Sequence, residues 1–492
     1  MTGSLDRIAD KIKLNEKGRH IAVFNSLSFQ RTDVVRLNRF DVKEPFELID
    51  VETGQKVPYQ IVKLDGPQAP VPYAAHRYGR GQFENKELFE LAFVAEKVPP
   101  FGYKTYRLSP VEKAATPTSR VVVDESGLEN QFFKVKLDPR TGAVESIYDK
   151  ELSRELVDKQ APHKLNQFVA RWVQTGKQEG PNKTVIRKGQ SGPVYGSLVV
   201  SSQGAGCPQL TQEITLYEKI KRIDFANRIL KDSTPLLEIY FAFPFKTTGK
   251  PDFQFEGSNS VIKPLRDQFP GSNSNYYAVQ HWADVSDGKA GVTLSCIDSH
   301  LLEFGGLWPC YVSQAHHGVT PPDFGREFVK PSELTKGYMY SFVLDSNFRT
   351  NFLPVQQGDM LFRYSITTHE KGWKEGNCRD FGWAICNPLF PVELNGKREG
   401  SLDSKMSFCR IDKPNVFLLT LKRAEDGDGI IVRLIETEGK DATATLTIPH
   451  LTIKQAYRTN LVEENKEKAT FTEHTITAPI KAFGITTIRF QT

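Results

Sequence analysis

The stretch "NQFFKVKLDPRTGAVESIYDK", residues 130–150, decides how the rest of the chain is read. Phe132, Val135 and Leu137 are assigned to one strand, and Val144 to Tyr148 form its return. Between them, Asp138-Pro139-Arg140-Thr141-Gly142 supplies turn chemistry, with Gly142 free to take a positive φ. This is a β-hairpin, and the residues after it repeat the theme. "VYGSLVVSS" (194–202), "QLTQEITLYEK" (209–219), "KRIDFANRIL" (221–230) and "LLEIYFAFPF" (236–245) follow at close spacing with hardly a helical pattern. A run of strands joined this way predicts antiparallel sheets packed face to face.

The same reading extends in both directions. Upstream, "RHIAVFNSLSF" (19–29), "VPYQIVKL" (57–64) and "GYKTYRL" (102–108) are short strands, and "TPTSR" (116–120) marks a break. The best helix candidate is "SLDRIADKIKL" (4–14), where Ser4 can cap and Leu5, Ile8, Ala9 and Ile12 fall on one face. Downstream of the polar segment "NGKREGSLDSK" (395–405), "NVFLLTLKR", "DGIIVRLIET", "ATATLTIP" and "AFGITTIRF" read as a small β-sandwich. The "EDGDGI" segment (425–430) is its clearest hairpin signal. The expected class is all-β. Its domains are a helical remnant at 1–15, a β-sandwich at 16–118, a large sandwich at 119–400 and a C-terminal sandwich at 401–492.

Composition agrees. The 492 residues exceed one compact domain. Hydrophobic residues at 39% against 25% charged residues suffice for packed cores, and 32 Phe and 16 Tyr against 4 Met favour strands. The net charge of +5 comes without a basic stripe, so no nucleic-acid partner is expected. Cysteines at 207, 296, 310, 378, 386 and 409 form no Cys-x-x-Cys pair, which predicts reduced thiols and a cytoplasmic location. No apolar run reaches the length of a membrane span, and no signal-peptide core is visible at the N-terminus. No nucleotide-binding motif occurs.

Five phrases, in order, resemble glycoside hydrolase family 38, the α-mannosidases. They are "IAVFNSLSFQRTDVVRL" (21–37), the hairpin "LENQFFKVKLDPRTGAVESIYDKELSRELVD" (128–158), "YEKIKRIDFANRI" (217–229), "HWADVSDGKAGVTLSCIDS" (281–299) and "LFRYSITTHEKGW" (361–373). The resemblance covers only the C-terminal β region of that family. It implies a galactose-mutarotase-like super-sandwich in the middle block, flanked by smaller β-sandwiches. It also implies that catalysis belongs to an N-terminal domain carrying zinc on two His and two Asp, with an Asp nucleophile. This chain is therefore expected to hold no catalytic residue, no metal ligand and no cofactor of its own. It would bind an α-mannoside beside a catalytic domain supplied in cis or in trans, and be inactive alone. The alternatives are a free-standing carbohydrate-binding module or a mutarotase-like sugar epimerase using His317 with Glu327 or Glu333.

Site candidates cluster in "WPCYVSQAHHGVTPPDFG" (308–325). His316 and His317 are adjacent, so in an extended segment they point to opposite sides and do not readily share one ion. Asp323 and Cys310 complete no ligand spacing. Paired carboxylates for glycoside hydrolysis cannot be read here, although Asp323, Glu327 and Glu333 are present. The remaining reading is a sugar-facing wall of aromatic and polar side chains. Family β-domain loops reach the catalytic pocket, so the substrate-binding candidates are His316, His317, Asp323, Arg349 and Asn351, with Gln357 beside them. Trp172, Trp282, Trp373 and Trp383 are assigned to cores or interfaces.

Overall fold

The computed structural model describes residues 2–42, 44–63, 89–113, 119–308, 328–347 and 353–492. Among them the chain forms seven sheets, with the paired strands antiparallel, and two α-helices, Thr2–Ala9 and Cys378–Cys386. The all-β class and the large sandwich with smaller flanking sandwiches are therefore as expected.

The large sandwich packs a six-stranded sheet on a nine-stranded one. The six-stranded order is Gln178–Glu179, Gln167–Trp172, Leu237–Phe245, Gly337–Asp345, Leu301–Phe304, Tyr277–Ala278. The strand Leu237–Phe245 is buried at every position because it is covered on both faces. Leu237, Ile239, Phe241, Phe243 and Phe245 enter the main core beside Ile223, Phe225 and Ile229 of the nine-stranded sheet. Tyr240 and Ala242 point the other way, into a second cluster with Val169, Tyr338, Tyr340 and Phe342. In contrast, Ile223–Lys231 alternates buried and half-buried positions, as a sheet with one covered face requires.

The 130–150 hairpin belongs to a five-stranded sheet that shares this core. Its strands are Phe133–Leu137 and Val144–Asp149, with Val144 opposite Leu137 and Asp149 opposite Phe133. The inward set is Phe133, Val135 and Leu137, spaced by two. Phe132 precedes the strand and is only partly buried against the core. Asp138 organises the turn: its backbone oxygen accepts Gly142 N–H at 2.7 Å, and its carboxylate accepts Arg140 N–H and the Thr141 hydroxyl. Burial raises the Asp138 carboxyl, but bonds from Thr141 and Lys164 outweigh it and hold the group below the usual range. Gly142 has φ +69°, and a Cβ there would come within 2.2 Å of Val200 Cγ1.

The first sandwich draws on distant sequence. Arg19–Asn25 pairs with Gly102–Pro110 on one side and with Phe390–Asn395 on the other, and Lys405–Ser407 pairs with Gly102–Pro110. This sheet packs on Arg31–Phe40, Phe89–Val98 and Tyr59–Lys63 around Ile21, Val23, Val35, Leu91 and Phe93. The helix ends at Ala9, earlier than its sequence pattern predicts, because tertiary bridges take over. Ile12 bridges Leu402 and Leu14 bridges Arg398, both apolar side chains buried and Lys13 exposed between them. The C-terminal sandwich packs a five-stranded sheet on a four-stranded one around Val432, Leu434, Ala444, Leu446, Ile476 and Ile488. No helix among the described residues is long and apolar enough to cross a membrane.

Candidate functional site

His316, His317 and Asp323 lie in 309–327, and Arg349 and Asn351 in 348–352; all five fall outside the described residues, as does Glu327. Gln357 is exposed, and Glu333 closes its own turn by accepting Lys330 N–H at 2.8 Å. The described chain does fix where both segments attach. The first joins the strands Leu301–Phe304 and Gly337–Asp345 of the six-stranded sheet, and the second follows Gly337–Asp345. Trp308 anchors the first: its backbone N–H donates to Glu303 Oε2 at 2.5 Å, and its indole N–H to Phe304 O at 2.8 Å.

The face of the six-stranded sheet turned away from the main core is built by alternation. Residues two apart along neighbouring strands present Val169 and Arg171, Glu238 and Tyr240, Tyr338 and Tyr340, and Leu301 and Glu303 away from the main core. Arg171 Nη1 meets Glu238 Oε2 at 2.7 Å with both side chains essentially inaccessible, and the Tyr240 hydroxyl donates to the same oxygen at 3.3 Å. Glu303 is fully buried and its Oε1 has no hydrogen-bond partner. Burial drives its carboxyl well above the usual carboxylate range, with the charge of Glu238 adding to the rise, which favours the neutral form of Glu303 beside the Glu238–Arg171 pair. Tyr340 and His163 Nδ1 are 3.0 Å apart, and Tyr338 donates to Asp158 at 2.7 Å. Burial lowers the His163 pKa and raises those of both tyrosines. Two carboxyl groups in opposite protonation states are the raw material of acid–base chemistry. Here, however, each is sealed from solvent, so the network acts as a rigid polar floor rather than as groups that touch a ligand.

The resemblance implies zinc held by two His and two Asp. Among the described residues, one group of possible ligands comes together: Asp284, His369 and Cys378, all buried. It does not fit. His369 Nε2 lies 2.7 Å from Asp284 Oδ1, and Nδ1 lies 3.2 Å from Glu370 O. Both acceptors demand a proton on the facing nitrogen, so the ring is an imidazolium. Burial works against that charge, but the bond and charge of Asp284 prevail and the His369 pKa is raised. The Cys378 thiol, 3.4 Å from Asp284 Oδ1, is pushed well up by burial. The group offers one His, one Asp and one Cys where the resemblance implies two His and two Asp. The sequence reading did not single out this pair, and its residues, 85 positions apart, carry no local signal.

The tryptophans fall in packed positions. Trp282 is fully buried and stacked on Trp373, Trp172 packs against the main core, and Trp383 lies against Phe417 of the C-terminal sandwich.

Residues 128–296 match the glycosyl hydrolases family 38 C-terminal domain, and residues 415–488 match that family's C-terminal beta sandwich domain. The chain thus resembles, over these two stretches, the C-terminal domains of glycosyl hydrolases family 38. It is similar to alpha-mannosidase G of Dictyostelium discoideum, 27% identical over 135 residues, which cover 27% of this chain and 12% of that protein. In structure it is similar to an alpha-mannosidase from Enterococcus faecalis V583, with TM-score 0.70 and 16% identity, covering 100% of this chain and 58% of the other. A family 38 protein from Enterococcus faecalis gives the same TM-score and identity, with 60% of its chain covered. The chain therefore spans less than two thirds of the length of these relatives.

Proposed function

We propose that this chain is the carbohydrate-binding, pocket-shaping β region of a cytoplasmic α-mannosidase. In this reading it works with a catalytic domain, joined in cis or supplied in trans, that brings zinc and the nucleophile. Alone it has no turnover. The observation that carries the reading is the superposition of the whole chain on about three fifths of an α-mannosidase, together with the two family matches. The sealed floor of Arg171, Glu238 and Glu303 supports a role in holding the 309–327 and 348–352 segments against a neighbouring sugar site. Free and mostly buried cysteines support a reducing compartment.

The test has two arms. The purified chain, with added zinc, is expected to leave an aryl α-mannoside unhydrolysed; zinc-dependent turnover would overturn the reading. In the complete enzyme, His317→Ala and Arg349→Ala should raise KM for that substrate about tenfold or more, the loss of one or two hydrogen bonds to a bound sugar. Unchanged kinetics in both variants would remove the binding role.

A further inference from the structure

A second polar hollow lies where the large sandwich, the helix Cys378–Cys386 and the C-terminal sandwich meet. Its volume is about 560 Å³, and Glu256, His281, His300, Trp383, Leu419 and Ile435 are among its lining residues. That volume lies within the roughly 300–1,000 Å³ of small-molecule sites.

The wall is built rather than incidental. Glu256 leaves the strand Asp252–Gly257, which pairs with Ala283–Ser286 on one side and Ser260–Ile262 on the other, and both of its carboxylate oxygens are engaged. Oε2 accepts His281 Nδ1–H at 2.7 Å, and Oε1 accepts the Trp383 indole N–H at 2.8 Å. The His281 ring lies on the Trp383 indole at 4.3 Å, and Phe417 covers the indole at 4.9 Å. Three separate elements therefore hold one imidazole in place. His300 is fixed in the same sense, its Nδ1 3.1 Å from Val279 O. A carbonyl oxygen only accepts, so Nδ1 carries the proton. Each Nε2 is left without a partner among the described residues.

The ligand chemistry follows from what is spent and what is left. Arg379 also borders the hollow, but its guanidinium is taken by Asp380, Thr437 Oγ1 at 2.6 Å and Pro414 O at 2.8 Å, and no lysine lines the space. An anion would find no unspent arginine or lysine among the lining residues. Two unpartnered imidazole Nε2 atoms instead suit hydroxyl groups, which both donate and accept, and Asn259 and Gln280 supply amides that do the same. Leu419 and Ile435 offer an apolar wall for a C–H face. We propose that this hollow is a binding subsite for a neutral pyranose ring, separate from the six-stranded sheet face. It stands on its own geometry and does not depend on the proposed role of the 309–327 and 348–352 segments.

The test uses the full chain with ¹³C-labelled histidine and methyl α-D-mannopyranoside as the probe, with inorganic phosphate as a control. His281 and His300 signals are assigned from His281→Ala and His300→Ala. Both Hε1 resonances are expected to move saturably with the sugar and to ignore phosphate. Leu419→Trp, at a half-exposed strand position that tolerates a larger side chain, should fill the hollow and weaken this response at least tenfold while leaving the melting temperature near wild type. Resonances that stay still up to the solubility limit of the sugar, that answer phosphate equally, or that respond unchanged in a folded Leu419→Trp variant would overturn the proposal. A response of His317 with His281 and His300 unmoved would count against this subsite alone. The reverse would count against the sheet-face reading alone.

Discussion

Replacing Glu303 by glutamine should stabilise the protein, and by more as pH rises. The carboxyl is fully buried, one oxygen accepts Trp308 N–H at 2.5 Å and the other has no partner. The neighbouring cation, Arg171, is committed to Glu238 at 2.7 Å. Burial therefore dominates and holds the folded-state pKa well above the usual value. In the unfolded chain a glutamate ionises near about 4.3. Below that value both states are protonated and the stability is fully present. Above it the unfolded chain releases a proton that the folded protein retains, so stability falls by about 1.4 kcal/mol per pH unit until the folded group itself ionises. Between about pH 5 and about pH 7 the fall would be ~3 kcal/mol if the folded group stays protonated throughout, a large part of a typical 5–15 kcal/mol stability. Glutamine keeps an acceptor for Trp308 N–H and does not ionise. Urea denaturation of both proteins at a series of pH values, followed by tryptophan fluorescence, reads the difference directly. The Glu303→Gln advantage should grow by about 1.4 kcal/mol for each pH unit in that window. Parallel curves, or a wild type that gains on the variant with rising pH, would refute a buried neutral acid.

Two further perturbations test the scaffold. His369→Ala should cost about 3–5 kcal/mol at acid pH by leaving Asp284 buried without its cation. Because the folded histidine pKa is raised, the pair's contribution is complete below the ordinary histidine value and is lost as pH climbs through the folded one. The deficit measured by thermal melting should shrink over that range, and a pH-independent deficit would show a neutral ring. Gly142→Ala should cost about 2–5 kcal/mol, the sum of ~1–2 for a left-handed alanine and ~1–3 for crowding Val200. A urea midpoint shift equivalent to less than about 0.5 kcal/mol would contradict the turn geometry.

Much of the architecture was legible because it is local. The hairpin at 130–150 announced its turn through Asp138, Pro139 and Gly142, and the apolar run 236–245 announced a strand, whose burial on both sides only the packed sheets revealed. The 4–14 helix was over-read: periodicity counts apolar spacing, yet Leu402 and Arg398, nearly 400 positions away, draw Ile12 and Leu14 into bridges. The candidate site was far less legible. Its five named residues sit in segments outside the described structure, and the polar floor beneath them pairs Arg171 with Glu238 across 67 positions. Nothing near either residue marks the other as its partner. The Glu256–His281–Trp383 contact is hidden in the same way, its members coming from a strand, a connection and a helix.

By itself, the order of residues determined which segments extend, where the chain turns and which family's β region it resembles, because backbone preference and alternation act over a few neighbours. Only the tertiary structure decided that 390–395 completes the first sheet, that Glu303 is a sealed acid, and that two histidines wait over a hollow between sandwiches. Sheet register and burial arise from contacts between segments hundreds of residues apart, and those contacts alone set which charges meet and which protons are kept.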